Sequence, residues 1–205
     1  MIDFVSDKKE FEDYKLRYSE LFNSDKEFCD NNFHENFKYF LGFEFDYIFH
    51  KSFFEKLKKY VSHIEGSSVV FYTLEPSPEE YFYKNFKKYN VLNIDLLSTD
   101  EELTKIMMEN PSDSGGISMA MGSDDIAIFS KSKEWAIIGS RDWEIAIVGF
   151  TSLEMREKFL ESFGTSSDMF TTVKEQVEIL DEMLHFNDVA KTEYAKIVAN
   201  YSERI

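Results

Sequence analysis

One cysteine, Cys29, stands in 205 residues, which excludes an intrachain disulfide and any multi-cysteine metal site. Such usage fits a reducing compartment, and a buried, inert thiol is the expected role. Cationic residues are scarce as well: 23 Lys and Arg stand against 39 Asp and Glu, a formal charge of −16. A nucleic-acid binder depends on neutralising phosphates with Lys and Arg, so this balance argues against one. It also disfavours an anionic membrane surface. No apolar run approaches the roughly 20 residues that span a bilayer. The opening "MIDFVSDKKEFEDYKL" lacks the basic-then-apolar order of a secretory signal. The cytoplasm is therefore the expected location. Neither a Walker loop nor G-x-G-x-x-G follows any strand-like run, so no phosphate cradle or nucleotide cofactor is expected.

What the chain has in quantity is apolar and aromatic surface, 43% and 17% of residues, enough to offset the entropy of ordering one substantial core. The expected organisation is a single domain over 1–205. It divides into a helical N-terminal part (1–50), an αβ core with a meander (52–164) and C-terminal helices (165–205). "KKEFEDYKLRYSELF" places Phe11, Tyr14, Tyr18, Leu21 and Phe22 at helical spacing, and a looser helical pattern continues through Phe33, Phe37, Phe40 and Leu41 to Gly42. "FEFDYIF", residues 43–49, alternates with period two and predicts a strand.

From Ser52, a predicted N-cap, the chain alternates helix and strand. Ser77, Pro78 and Glu80 predict a capped helix start, and so do Thr99 with Glu102 and Thr151 with Glu154. "ISMAMG", "DIAIF", "WAIIG" and "WEIAIVGF" are strand-like runs at short spacing, which forces antiparallel neighbours. Phe170, Val173, Val177, Leu180 and Leu184 form an apolar seam that slips phase at "HFND", predicting two helices or a kink. The fold class expected is α+β: a central mixed, largely antiparallel sheet of about five to six strands, packed by helices, with helices at both ends of the chain.

Several stretches resemble chemistry. "SDSGG", residues 112–116, is similar to the nucleophile signature of trypsin-like serine proteases, with Ser114 in the reacting place. Ser112 stands where that signature needs glycine, and a Ser/Asp/Gly cluster is first of all a loop. "HENFK" opens like a zincin helix, but Lys38 occupies the second ligand position. His34, His50, His63 and His185 lie apart, and Asp124–Asp125 beside Gly122 suits a solvated turn. No catalytic, metal or cofactor residue is assigned on these grounds.

In "EWAIIGSRDWEIAIVGF" (134–150), Trp143, Ile145 and Ile147 fall on one side of a strand and Ala146, Val148 and Phe150 on the other, as in a strand buried on both faces. "GSRD" supplies turn residues, with Gly139 free for positive φ and Asp142 able to bond its own backbone. Arg141 is the one choice a turn does not explain. A second reading makes Arg141, Asp142, Trp143 and Glu144 a partner-binding tip, since Trp and Arg are enriched at binding hot spots.

The region from about Gly115 to Gly164, with "DDIAIFS", Trp135, the "SRDWE" tip and the following helix, resembles small acidic bacterial immunity-type proteins of polymorphic or contact-dependent toxin systems. That resemblance implies a non-catalytic protein that binds a cognate, basic, toxin-like partner, whose opposite field would speed encounter. The competing class is an α/β enzyme or small-ligand-binding protein whose site lies at strand ends or in a cleft beneath the "PSDSGG" loop. A third class is an oligomeric module using the C-terminal stripe.

Overall fold

A computed structural model describes residues 2–64, 66–110 and 117–203. Six strands form one sheet in the order β1-β6-β5-β4-β2-β3: β1 Tyr39–Glu44, β2 Ser68–Glu75, β3 Val91–Asp95, β4 Asp125–Phe129, β5 Trp135–Ser140 and β6 Ile145–Phe150. Every neighbouring pair is antiparallel, including β2 and β3, so the parallel component expected of a mixed sheet is not there. The α+β class stands, with helices α1 (Lys8–Ser19), α2 (Lys51–His63), α3 (Lys84–Phe86), α4 (Asp100–Met108), α5 (Met119–Gly122), α6 (Leu153–Phe163), α7 (Val173–Leu184) and α8 (Asp188–Asn200).

The sheet is buried on both faces, which is why its strands are apolar on both alternating sets. One face carries Phe43, Phe71, Ile94, Ile128, Ile137 and Val148 against Phe53, Leu57, Tyr60 and Val61 of α2, Leu103 of α4 and Phe159 of α6. The other carries Val70, Tyr72, Val91, Phe129, Ile138, Ile145 and Ile147. It packs on Phe11, Tyr14 and Tyr18 of α1, on the 21–37 segment, and on Val173, Leu180, Tyr194 and Ile197 of α7 and α8. Ala146, Val148 and Phe150 lie on the first face and Ile145, Ile147 and half-buried Trp143 on the second, as the alternation predicts.

Four local expectations change. The second helix predicted through Phe33 and Phe40 is instead a run of turns followed by β1, so the 1–50 part is not all helical. Phe28, Phe33 and Phe37 are buried there by tertiary packing, with Phe33 against Phe22, Phe40 and Tyr201. "FEFDYIF" straddles the end of β1 and a 3-10 turn, Phe45–Phe49, in which Glu44 and Asp46 reach solvent while Phe45 and Tyr47 are buried. "ISMAMG" is the short helix α5, because a brief apolar run carries no period that separates strand from helix. Caps shift too: His50, not Ser52, precedes α2, and Ser152, not Thr151, caps α6 by accepting from the Met155 amide.

Other signals hold in detail. Thr99 with Glu102 forms a reciprocal capping box on α4. Ser77 accepts from the Glu80 amide at 3.2 Å, opening a π-helical turn, Pro78–Tyr83, that runs into α3. The phase slip at "HFND" is the break between α7 and α8, with His185 in the left-handed conformation. Gly42 lets α7 approach β1: a Cβ there would meet Gln176 Cβ at 3.0 Å and Val173 Cα at 3.2 Å. Both sheet edges are covered, β3 by Phe4–Val5 and β1 by Thr171 through paired backbone hydrogen bonds with Gly42. Among the described residues no helix is long and apolar enough to cross a membrane.

Candidate functional site: the acidic end of the sheet

The strand registers bring Glu44, Ile145, Ser140, Asp125 and Glu75 to one end of the sheet. The β5–β6 turn, Arg141–Glu144, projects from that end, and Asp124 and the 3-10 turn with Asp46 flank it. Seven carboxylates therefore gather along β1, β6, β5, β4 and β2: Glu44, Asp46, Glu75, Asp124, Asp125, Asp142 and Glu144. Arg141 is the cation set among them; Lys84, Lys87 and Lys88 lie beyond, on the connector to β3. At the opposite end the strand termini carry Lys38, Lys131 and Lys133 beside Glu134 and Asp95, with Glu20 paired to Lys133 and with Asp100, Glu101 and Glu102 opening α4 just past β3.

Arg141 is tied into the fold. Its Nη2 donates to the Ala120 carbonyl at 2.7 Å, its Nε to the Ser123 carbonyl at 3.4 Å, and its Nη1 to Asp46 Oδ1 at 3.0 Å. The guanidinium also lies 4.8 Å from the centroid of the Phe45 ring. One side chain thus joins the turn, α5 and the 3-10 helix, and it fills the gap that turn chemistry left. Gly139 needs no special conformation: it lies inside β5, where an added Cβ would meet Phe45 and Ile48 at 3.0 Å. Glu144, with φ of 52°, is the left-handed residue of the turn, and its carbonyl accepts from Phe45 N at 3.4 Å.

Of the four predicted tip residues, Asp142 and Glu144 are exposed, while Arg141 and Trp143 are half-buried. Trp143 packs edge-on to Tyr194 of α8, with centroids 5.2 Å apart, and its carbonyl accepts the Tyr194 hydroxyl at 2.9 Å. The surface a partner could touch at the turn is therefore the two carboxylates, with the indole and the guanidinium serving as their anchors.

Beneath the turn, Thr73, Ser123 and Asn90 form a buried polar chain. Thr73 Oγ1 and Ser123 Oγ are 2.7 Å apart, and Asn90 Nδ2 donates to Thr73 Oγ1 at 2.9 Å. Burial raises the Asp125 carboxyl above the usual aspartate value. The charges of Asp142, Asp124 and Glu75 push the same way, and a hydrogen bond with Ser140 opposes them.

The remaining candidates are dispersed. His34 Nε2 lies 3.0 Å from the Ser19 carbonyl, His63 is 3.4 Å from Ser162 Oγ, and His185 ends α7. His50 Nδ1 is 2.7 Å from Ser52 Oγ beside Tyr47, a contact two residues apart at the start of α2, and among the described residues no bond orients the other ring nitrogen. Cys29 is buried, and its thiol is pushed up by burial and then by Asp30, Glu27 and Glu193. Among the described residues no three of His, Cys, Asp and Glu converge to hold a metal ion. Ser114 and the "PSDSGG" loop lie outside the described residues. No family model matches the chain, and neither do the curated proteins or the solved structures compared with it.

Proposed function

We propose that the chain is a non-catalytic acidic binding protein of immunity or inhibitor type, which takes a basic protein partner on the acidic end of its sheet. The observation that carries this reading is the gathering of seven carboxylates around Arg141 at one end of the sheet. An acidic field of this kind steers an oppositely charged partner, raising association rates from about 10⁵–10⁶ toward 10⁸–10⁹ M⁻¹s⁻¹ at low salt. Exposed Asp142 and Glu144, held on an anchored turn, are preorganised and lose little entropy on binding. The lone buried thiol of Cys29 suits a reducing cytoplasm.

The test compares the wild-type chain with the triple substitution Asp124→Asn, Asp142→Asn, Glu144→Gln, each immobilised and exposed to lysate of the source organism at low and high salt. The expected result is a basic protein retained by the wild type and released by the triple variant. Equal retention by both, or retention of nothing basic, refutes the reading.

A further inference from the structure

We draw no further inference here: the strongest candidate, the cavity of about 350 Å³ between the 3-10 turn Phe45–Phe49 and the start of α2, belongs through Glu44 and Asp46 to the acidic end already described, with Asp46 held by Arg141 and Ser166 by Lys56, and nothing in the structure shows what occupies it.

Discussion

Arg141→Ala is the sharpest test of how the acidic end is held. The substitution removes a charged hydrogen bond to the Ala120 carbonyl at 2.7 Å, a weaker one to Ser123 at 3.4 Å, the Asp46 pair at 3.0 Å and the contact with the Phe45 ring at 4.8 Å. The first is worth about 1.5–3 kcal/mol. The Asp46 pair, with side chains 30% and 61% exposed, adds at most about 1 kcal/mol after solvent screening. Stacking on Phe45 adds about 0.5–2 kcal/mol. These terms share one side chain and do not add fully, so the expected loss is about 2–4 kcal/mol. At about 2–4 °C per kcal/mol for a chain of this size, Tm should fall by roughly 5–12 °C. Arg141→Lys keeps the charge but not the fork, and should recover less than half of the loss. The loss should shrink as salt rises, because the seven carboxylates left without their cation repel less when screened. Thermal melts at two salt concentrations read all three statements. A change in Tm below about 2 °C for Arg141→Ala would show that the turn stands without its clamp, and the reasoning would fail.

Three further outcomes are expected. Asp125 has a folded-state pKa raised above its ordinary value of 3.8, so the native state binds its proton more tightly than the unfolded state; the stabilisation that this proton confers is complete below the unfolded pKa and is lost as pH rises through the folded one. Asp125→Asn should therefore melt higher than wild type at pH 7, and the gap should close as pH is lowered past the aspartate value; a gap that widened on acidification would contradict the sign. Tyr201 accepts from the Asn32 backbone N–H at 3.2 Å and can donate to Asn32 Oδ1 or the Asp30 carbonyl, both at 2.7 Å, so Tyr201→Phe should cost about 1–3 kcal/mol in denaturant unfolding by removing the partner of the Asn32 N–H and Oδ1 while Asn32 Nδ2 keeps its bond to the Lys26 carbonyl. Trp143→Ala opens space beside Tyr194 and should cost about 2–4 kcal/mol; loss of partner capture without loss of Tm would instead make the indole a contact residue.

The hairpin was legible in sequence because both of its alternating sets are apolar, a pattern few environments other than a doubly covered sheet can satisfy. α1 was legible for the complementary reason, since Phe11, Tyr14 and Tyr18 recur on one helical face. The 23–49 stretch was misread because its cues are set by tertiary contacts. Phe33 and Phe37 sit at helical spacing yet pack from turns beneath Gly149, whose missing Cβ leaves room for the Phe33 ring. In "FEFDYIF" the apparent period of two straddles a strand end and a 3-10 turn, where Asp46 reaches solvent for its own reason, to meet Arg141. The gathering of carboxylates could not be read from linear order at all. Glu44, Glu75, Asp125 and Asp142 become neighbours only through the strand registers. Arg141 was the one local hint, a residue the turn itself did not require.

The covered edges of the sheet bear on whether its outer strands can serve as a template for another chain. Each outer strand is closed by two backbone hydrogen bonds from a distant segment: Val5 with Val91 and Tyr89 beside β3, and Thr171 with Gly42 on β1. These latches are short, and neither belongs to the β4–β6 meander. A chain that has formed its strands but has not yet docked residues 4–5 and 171 presents two open rows of N–H and C=O groups flanking an apolar interior, the geometry that recruits a second strand and seeds aggregation. In the native state the same latches cap each outer strand at one point, Val91–Leu92 on β3 and Gly42 on β1.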